Sequence, residues 1–158
     1  MSEVDPEKFE RICQEAETFY RSVGKVWCPY FKEDIAFNAK GLEHIKFSRI
    51  RQARSHIDQY IRLKLISLAP VILKQSHTLQ GVSVRKNFER MKINSRWEVV
   101  MRTVTYYEFV AIVNGARIRV IVKQVEGGQK YFWSIIPFWK MDKRTGEKVL
   151  HGGKPETD

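Results

Sequence analysis

Apolar positions follow two different periods along this chain. From Phe9 to Phe19 they recur at helical spacing, at Phe9, Ile12, Cys13, Ala16 and Phe19, which puts them on one helix face. Asp5-Pro6 ahead of them offers an N-cap and a first-turn proline, and Gly24 ends the segment near Tyr20 or Val23. Residues 25–33 predict a loop with Trp27 and Tyr30-Phe31 turned inward, followed by a short strand over Asp34–Phe37. Asn38 can cap a second helix from Ala39 to about Ser48. A third helix, Ser55 to Leu68, carries Ile57, Ile61, Leu65 and Leu68 on one face, and Pro70 limits it. Residues 74–95 are polar and give no assignment.

From Trp97 the period changes to two. Glu98–Val113 predicts a long strand, and Asn114-Gly115 a hairpin, because both central residues of a type I′ turn need positive φ. Ala116–Val125 is the next strand, Gly127-Gly128 a second tight turn, and Lys130–Phe138 the third strand. The glycine-rich polar stretch 141–158 predicts a flexible tail.

Tight turns fix register, so side-chain direction follows. One face collects Tyr107, Phe109, Ala111, Ile118, Val120, Val122, Trp133 and Ile135, which is a core face. The expected fold is α+β: N-terminal helices packed on one face of a three- to four-stranded antiparallel sheet. Residues 1–24 form an acidic helix and 25–140 a single domain. The opposite face collects Tyr106, Glu108, Arg117, Arg119, Ile121, Lys123, Lys130, Phe132, Ser134 and Ile136.

Charge makes that second face interesting. Lys and Arg number 28 against 18 Asp and Glu, a net of +10. The first twenty residues hold six acids and two bases, so the remainder carries +14. A body that basic suits a polyanion such as RNA, or is simply a solvated basic surface. Arg117, Arg119 and Lys123 form a basic row on the middle strand, with Lys130 on the next. Tyr106 and Phe132 offer aromatic surface for a base to stack on. Ser134 sits opposite Ile121, diagonal to Arg119 and Lys123.

Other chemistries find no support. The two cysteines form no CxxC, the four histidines show no HxxH or HxxxH pairing, and there is no Walker loop, GxGxxG or GxSxG. No metal and no cofactor is expected. The longest uncharged apolar run, Leu65 to Leu73, falls far short of the ~20 residues that span a bilayer. The acidic N-terminus lacks the basic start of a secretory signal, so a cytoplasmic location with reduced thiols is expected.

His44 is the remaining candidate. In Gly41-Leu42-Glu43-His44-Ile45 it points away from the inward Leu42 and Ile45. Gly41 disfavours helix by ~1 kcal/mol relative to alanine, which suggests a need for backbone clearance. An imidazole can take the proton that a ribose 2′-hydroxyl loses when it attacks its own phosphate, and cations can hold the phosphate oxygens. His44, Arg119, Lys123, Tyr106 and Ser134 make a sufficient set. A surface or capping histidine is the plain alternative.

The segment Ile35-Ala36-Phe37-Asn38-Ala39-Lys40-Gly41-Leu42-Glu43-His44-Ile45, an Arg-rich helix ending Leu68-Ala69-Pro70-Val71-Ile72, and a meander ending Tyr131-Phe132-Trp133-Ser134-Ile135-Ile136-Pro137 together resemble a known family. It is the phage- and mobile-element-associated branch of the barnase/EndoU/colicin/RelE-like (BECR-fold) nuclease superfamily. The resemblance covers roughly residues 33–138. It implies a metal-independent ribonuclease, often a toxin held by a protein inhibitor such as an antitoxin or immunity protein. It also implies a helix histidine at His44, a last-strand hydroxyl at Ser134, a strand base at Arg119 or Arg117, and a helix arginine at Arg62, Arg51 or Arg54. The chain departs from barnase-like patterns in having no histidine on the sheet, where Glu108 is the only acid. Two rivals remain: a non-catalytic nucleic-acid-binding module using the same face, and an interaction domain that docks a protein partner through its first helix.

Overall fold

The computed structural model describes residues 4–49 and 52–137; Arg51 and the expected tail 141–158 lie outside the described residues. Helix α1, Pro6–Val23, starts on Asp5, whose carboxylate accepts the Glu7 N–H at 3.2 Å. It stops at Gly24, which takes φ +68°. Residues 25–36 form a hairpin, where a loop was expected over 25–33: β1, Lys25–Cys28, runs antiparallel to β2, Glu33–Ala36. Asn38 caps α2, Ala39–Lys46, by accepting the Gly41 N–H. Short strands β3, Phe47–Arg49, and β4, Gln52–Ala53, form a separate ribbon.

Two helices stand where one was expected. Ser55 caps α3, His56–Leu65, and α4 runs over Leu68–Gln75. Pro70 does not end a helix here. It lies in the first turn of α4, where an N–H has no intrahelical partner to lose. The long strands follow: β5, Gly81–Ile93; β6, Arg96–Val113; β7, Ala116–Val125; β8, Tyr131–Pro137.

These strands correct the expected sheet. It has six strands in the order β1-β2-β8-β7-β6-β5, and it is mixed, because β2 pairs parallel to β8 at Ala36 and Tyr131. Two of its strands are missing from the sequence reading: β1, which was expected to be loop, and β5, which is mostly polar, so its alternation is faint. Across β6 and β7 the Asn114-Gly115 turn sets Val113 opposite Ala116 and Tyr107 opposite Val122. Between β7 and β8 the expected register holds at Val120–Ile135 and Ile121–Ser134. It then slips, so that Val122 faces Phe132. Trp133 is the extra residue of this bulge, and a bulge re-aims side chains.

The slip exchanges two aromatic residues. Phe132, expected on the basic face, lies fully buried in the main core, stacked on Phe37 at 5.0 Å. Trp133, expected in that core, packs against the second cluster of Val104, Tyr106, Ile121, Val125 and Ile136. The main core joins one side of β7 and β8 to apolar residues from all four helices, among them Tyr20, Leu42, Leu63 and Leu73.

Helices α2 and α3 also reach round β8, whose pairing with β2 is confined to one residue pair. Gly41 makes the approach possible. A Cβ there would collide with the Phe132 carbonyl oxygen and sit 2.6 Å from the Tyr20 hydroxyl. On the far side, the β5–β6 ribbon coils back over the second face, as long twisted ribbons do. Asn87, Glu89 and Met91 thereby meet Tyr106, Lys123 and the second cluster. No helix among the described residues is long and apolar enough to cross a membrane.

Candidate functional site

The site is assembled where α2, α3 and the bulge of β8 meet. His44, the sixth residue of α2, is 4% exposed and stacks on Trp133 with ring centroids 3.9 Å apart. Arg54 grips the same histidine twice: its Nε donates to the His44 carbonyl at 3.0 Å, and its Nη2 lies 3.1 Å from His44 Nε2. A guanidinium has no lone pair to offer, so this contact requires Nε2 to be the acceptor and places the ring proton on Nδ1. The imidazole is therefore held neutral in this arrangement.

Arginines and an acid extend the chain of contacts. Asp58 in the first turn of α3 and Arg62 in its last turn are four residues apart and share one side of the helix, while Arg54 lies just ahead of the Ser55 cap. Asp58 accepts from Arg54 Nη1 at 3.4 Å and from Arg62 Nε at 2.7 Å. Arg62 then donates from Nη1 to the Ser134 hydroxyl at 2.6 Å. A continuous polar path thus runs His44–Arg54–Asp58–Arg62–Ser134, and Arg62 is 1% exposed along it.

A second arm lies on the other side of Trp133. The Lys123 ammonium sits 4.0 Å from the Trp133 ring and pairs with Glu89 at 2.9 Å. Burial pulls its pKa below the ordinary lysine value; Glu89 opposes that shift and the nearby Lys40 charge adds to it. Tyr106 accepts from Asn87 at 3.0 Å, with Lys123 5.7 Å from its ring. Tyr131 is also buried here, and burial pushes its phenol pKa up strongly, with Glu89 adding to the shift.

The structure thus brings His44, Arg62, Lys123, Tyr106 and Ser134 into one neighbourhood. Arg119 lies on the same face, two residue pairs along from Ser134, and forms a two-pronged ion pair with Glu108 at 2.6 and 2.5 Å. Glu108 is accordingly committed to Arg119. Arg117 is exposed near the far end of β7, away from His44. Two expected contributors are corrected. Phe132 offers no stacking surface, because the bulge turns it into the core. Lys130 belongs to the opposite side of the sheet, where it pairs with Glu33 and lies over Phe31 and Tyr107. Arg51 lies outside the described residues.

Sequence reasoning missed Asp58, Trp133 and Glu89. The Arg54-x3-Asp58-x3-Arg62 spacing was a visible signal for the first. Nothing in the alternation announced the bulge that re-aims Trp133 or the coiling that delivers Glu89. The cysteines are not part of the site: Cys13 on α1 and Cys28 at the end of β1 are free thiols whose pKa burial raises. Among the described residues no cluster of His, Cys, Asp or Glu could hold a metal ion. A separate concavity of about 480 Å³ lies on another flank of α2, between Tyr20, Phe37, Leu42 and Lys46, and includes none of these polar groups.

No protein-family model matches this chain, and neither a curated protein nor a solved structure matches it.

Proposed function

We propose that the chain is a metal-independent ribonuclease acting from the His44–Ser134 cluster, on the pattern of the BECR-fold nucleases it resembles, with helices laid against a sheet that carries the phosphate-binding cations. The observation that carries this reading is the continuous Arg54–Asp58–Arg62 path that joins an imidazole to a buried hydroxyl. Two guanidiniums, an ammonium, a neutral imidazole and a hydroxyl are the groups that metal-free cleavage of RNA uses. An arriving phosphate competes for the Arg54 guanidinium and frees the Nε2 lone pair of His44. His44 takes the 2′-hydroxyl proton as the 2′-oxygen bonds to phosphorus. The bond to the 5′-oxygen breaks, and that oxygen takes a proton from solvent. Arg62 and Lys123 hold the phosphate oxygens, while Ser134 and Tyr106 fix their positions. Arg119 sits one step further along the strand as a second phosphate contact. The role fits a toxin-type enzyme restrained by a protein inhibitor.

A second reading is favoured by burial. Ser134 is 0% and Lys123 4% exposed, and the charges around them are matched by Asp58 and Glu89. Buried, charge-matched groups hold a fold together, so such a network also suits a nucleic-acid-binding module that does not cleave, in which this cluster is structural and the nucleic acid is held elsewhere. Incubation of the protein with RNA in the presence of a chelator separates the two. The ribonuclease yields 2′,3′-cyclic phosphate ends, and His44→Ala abolishes them. Intact RNA, or equal cleavage by H44A, overturns the catalytic reading.

A further inference from the structure

The β5–β6 ribbon has two unlike sides. Along β5 the residues at 87, 89 and 91 turn inward, so those between them face out. On the outward side β5 presents Val82, Val84, Lys86, Phe88, Arg90 and Lys92. The cross-strand partners on β6 are Met101 opposite Phe88, Val99 opposite Arg90 and Trp97 opposite Lys92. This side is unusually apolar for an exposed surface: Phe88 is 70%, Trp97 58% and Val99 66% exposed. It is also of one sign. Lys86, Arg90 and Lys92 lie on it, while the ribbon's acids, Glu89, Glu98 and Glu108, belong to the inward set.

We propose that this outward side is a binding platform for single-stranded nucleic acid, separate from the His44 cluster and independent of any cleavage there. Charge complementarity chooses the occupant. A second copy pairing along the free edge of β5 would bring its own Arg85, Lys86, Arg90 and Lys92 against the same bases, and like charges opposite one another oppose pairing. A polyanion meets no such repulsion. The aromatic groups add the second requirement, flat exposed faces for bases. Trp97 lies across from Lys92, four residues from Phe88, so the two rings stand about 13 Å apart along the ribbon at ~3.3 Å per residue. The Arg90 guanidinium, 5.1 Å from the Trp97 ring, marks where a phosphate would run beside a stacked base.

The test uses a fluorescein-labelled eight-nucleotide single-stranded DNA and the full chain. DNA lacks the 2′-hydroxyl, so cleavage by the proposed ribonuclease cannot confuse the reading. Phe88→Ala and Trp97→Ala are each expected to weaken binding about tenfold, from the loss of one stacked base. The triple change of Lys86, Arg90 and Lys92 to Gln should reduce the slope of log K against log salt by about 2, at ~0.7 per phosphate contact on a single strand. Ile112→Ala, at an exposed β6 position beyond the ribbon, serves as the folding-matched control and should leave the affinity unchanged. Melting curves establish that each variant is folded. Binding that survives both aromatic changes in folded protein overturns the platform, as does binding lost instead with changes at His44 or Arg62. A wild-type dimer in light scattering that F88A or W97A dissociates, with no affinity for the oligonucleotide, assigns the surface to a second copy and overturns it equally.

Discussion

Arg62 on α3 donates to Ser134 on β8 at 2.6 Å, across 72 positions of sequence, with both side chains essentially removed from solvent. The contact pins the helical half of the chain to the last strand by a charged hydrogen bond. It also fixes which side of β8 the serine presents, one residue beyond the bulge.

The bond makes unequal demands on its two partners. Arg62→Ala leaves Asp58 facing Arg54 alone and the Ser134 hydroxyl without its donor, and loss of one partner of a buried ion pair costs about 3–5 kcal/mol. Ser134→Ala removes only one acceptor and should cost about 1–3 kcal/mol. Urea unfolding of the two variants and their double mutant gives the coupling. Additive losses would show that the two side chains do not stabilise the fold through each other.

Gly41 sets propensity against packing. In an exposed helix, glycine to alanine gains about 1 kcal/mol. Here the added methyl meets the Phe132 carbonyl oxygen and the Tyr20 hydroxyl, so α2 must move off β8. Gly41→Ala is therefore expected to destabilise by about 1–3 kcal/mol, the cost of overpacking. A rise in the urea midpoint instead would mean that α2 can shift freely, and that the His44–Trp133 stack is not held by this contact.

Much of this architecture is written in local pattern, and the rest is not, for identifiable reasons. The caps at Asp5 and Asn38, the Asn114-Gly115 turn and the alternation of β6 and β7 are local signals, and the β6–β7 register follows from them directly. The bulge at Trp133 is a decision of the packed structure. Phe132 fits beside Phe37 and Tyr20, and the extra residue absorbs the mismatch. Strand β5 was illegible because its inward residues, Asn87, Glu89 and Met91, meet polar partners as well as apolar ones, so hydrophobic contrast is lost. The same coiling explains the partial legibility of the site. His44, Ser134 and Lys123 could be placed by spacing, whereas Glu89 reaches Lys123 only because a ribbon bends.

Two tyrosines make alkaline stability asymmetric. Burial raises the pKa of Tyr20 and Tyr131 well above the ordinary value near 10. Both stay protonated in the fold after the unfolded chain has begun to ionise, so their contribution is complete below pH ~10 and is lost as pH rises beyond it. Their hydroxyls differ. Tyr20 donates to the Asn38 carbonyl at 2.7 Å, whereas the Tyr131 hydroxyl makes no hydrogen bond among the described residues. Tyr20→Phe should cost about 0.5–1.5 kcal/mol at neutral pH, and Tyr131→Phe nothing or a gain, since it removes a buried group lacking a bond. Each change should flatten the fall in stability above pH ~10. A Y131F protein as alkali-sensitive as wild type would place that tyrosine in solvent.

Lys123 titrates with the opposite sign. Its pKa in the fold lies below the ordinary 10.5, because burial outweighs the support of Glu89. Between the two values the unfolded chain binds the extra proton, so stability from this residue rises with pH through that window, by at most about 1.4 kcal/mol per pH unit. Glu89→Gln removes the opposing charge and drives the folded value lower still. At pH 7 the variant should lose about 3–5 kcal/mol, as for any buried pair stripped of one partner. The deficit should then shrink as pH rises toward 9.5, because the stranded ammonium can shed its proton. Adding Lys123→Met removes the titrating group, so the pH dependence that E89Q introduced should vanish. Urea unfolding of the three proteins at pH 7, 8.5 and 9.5 reads the effect directly. A deficit in E89Q that stays constant across this range would mean that Glu89 acts through packing, and that the Lys123 ammonium above Trp133 remains charged without it.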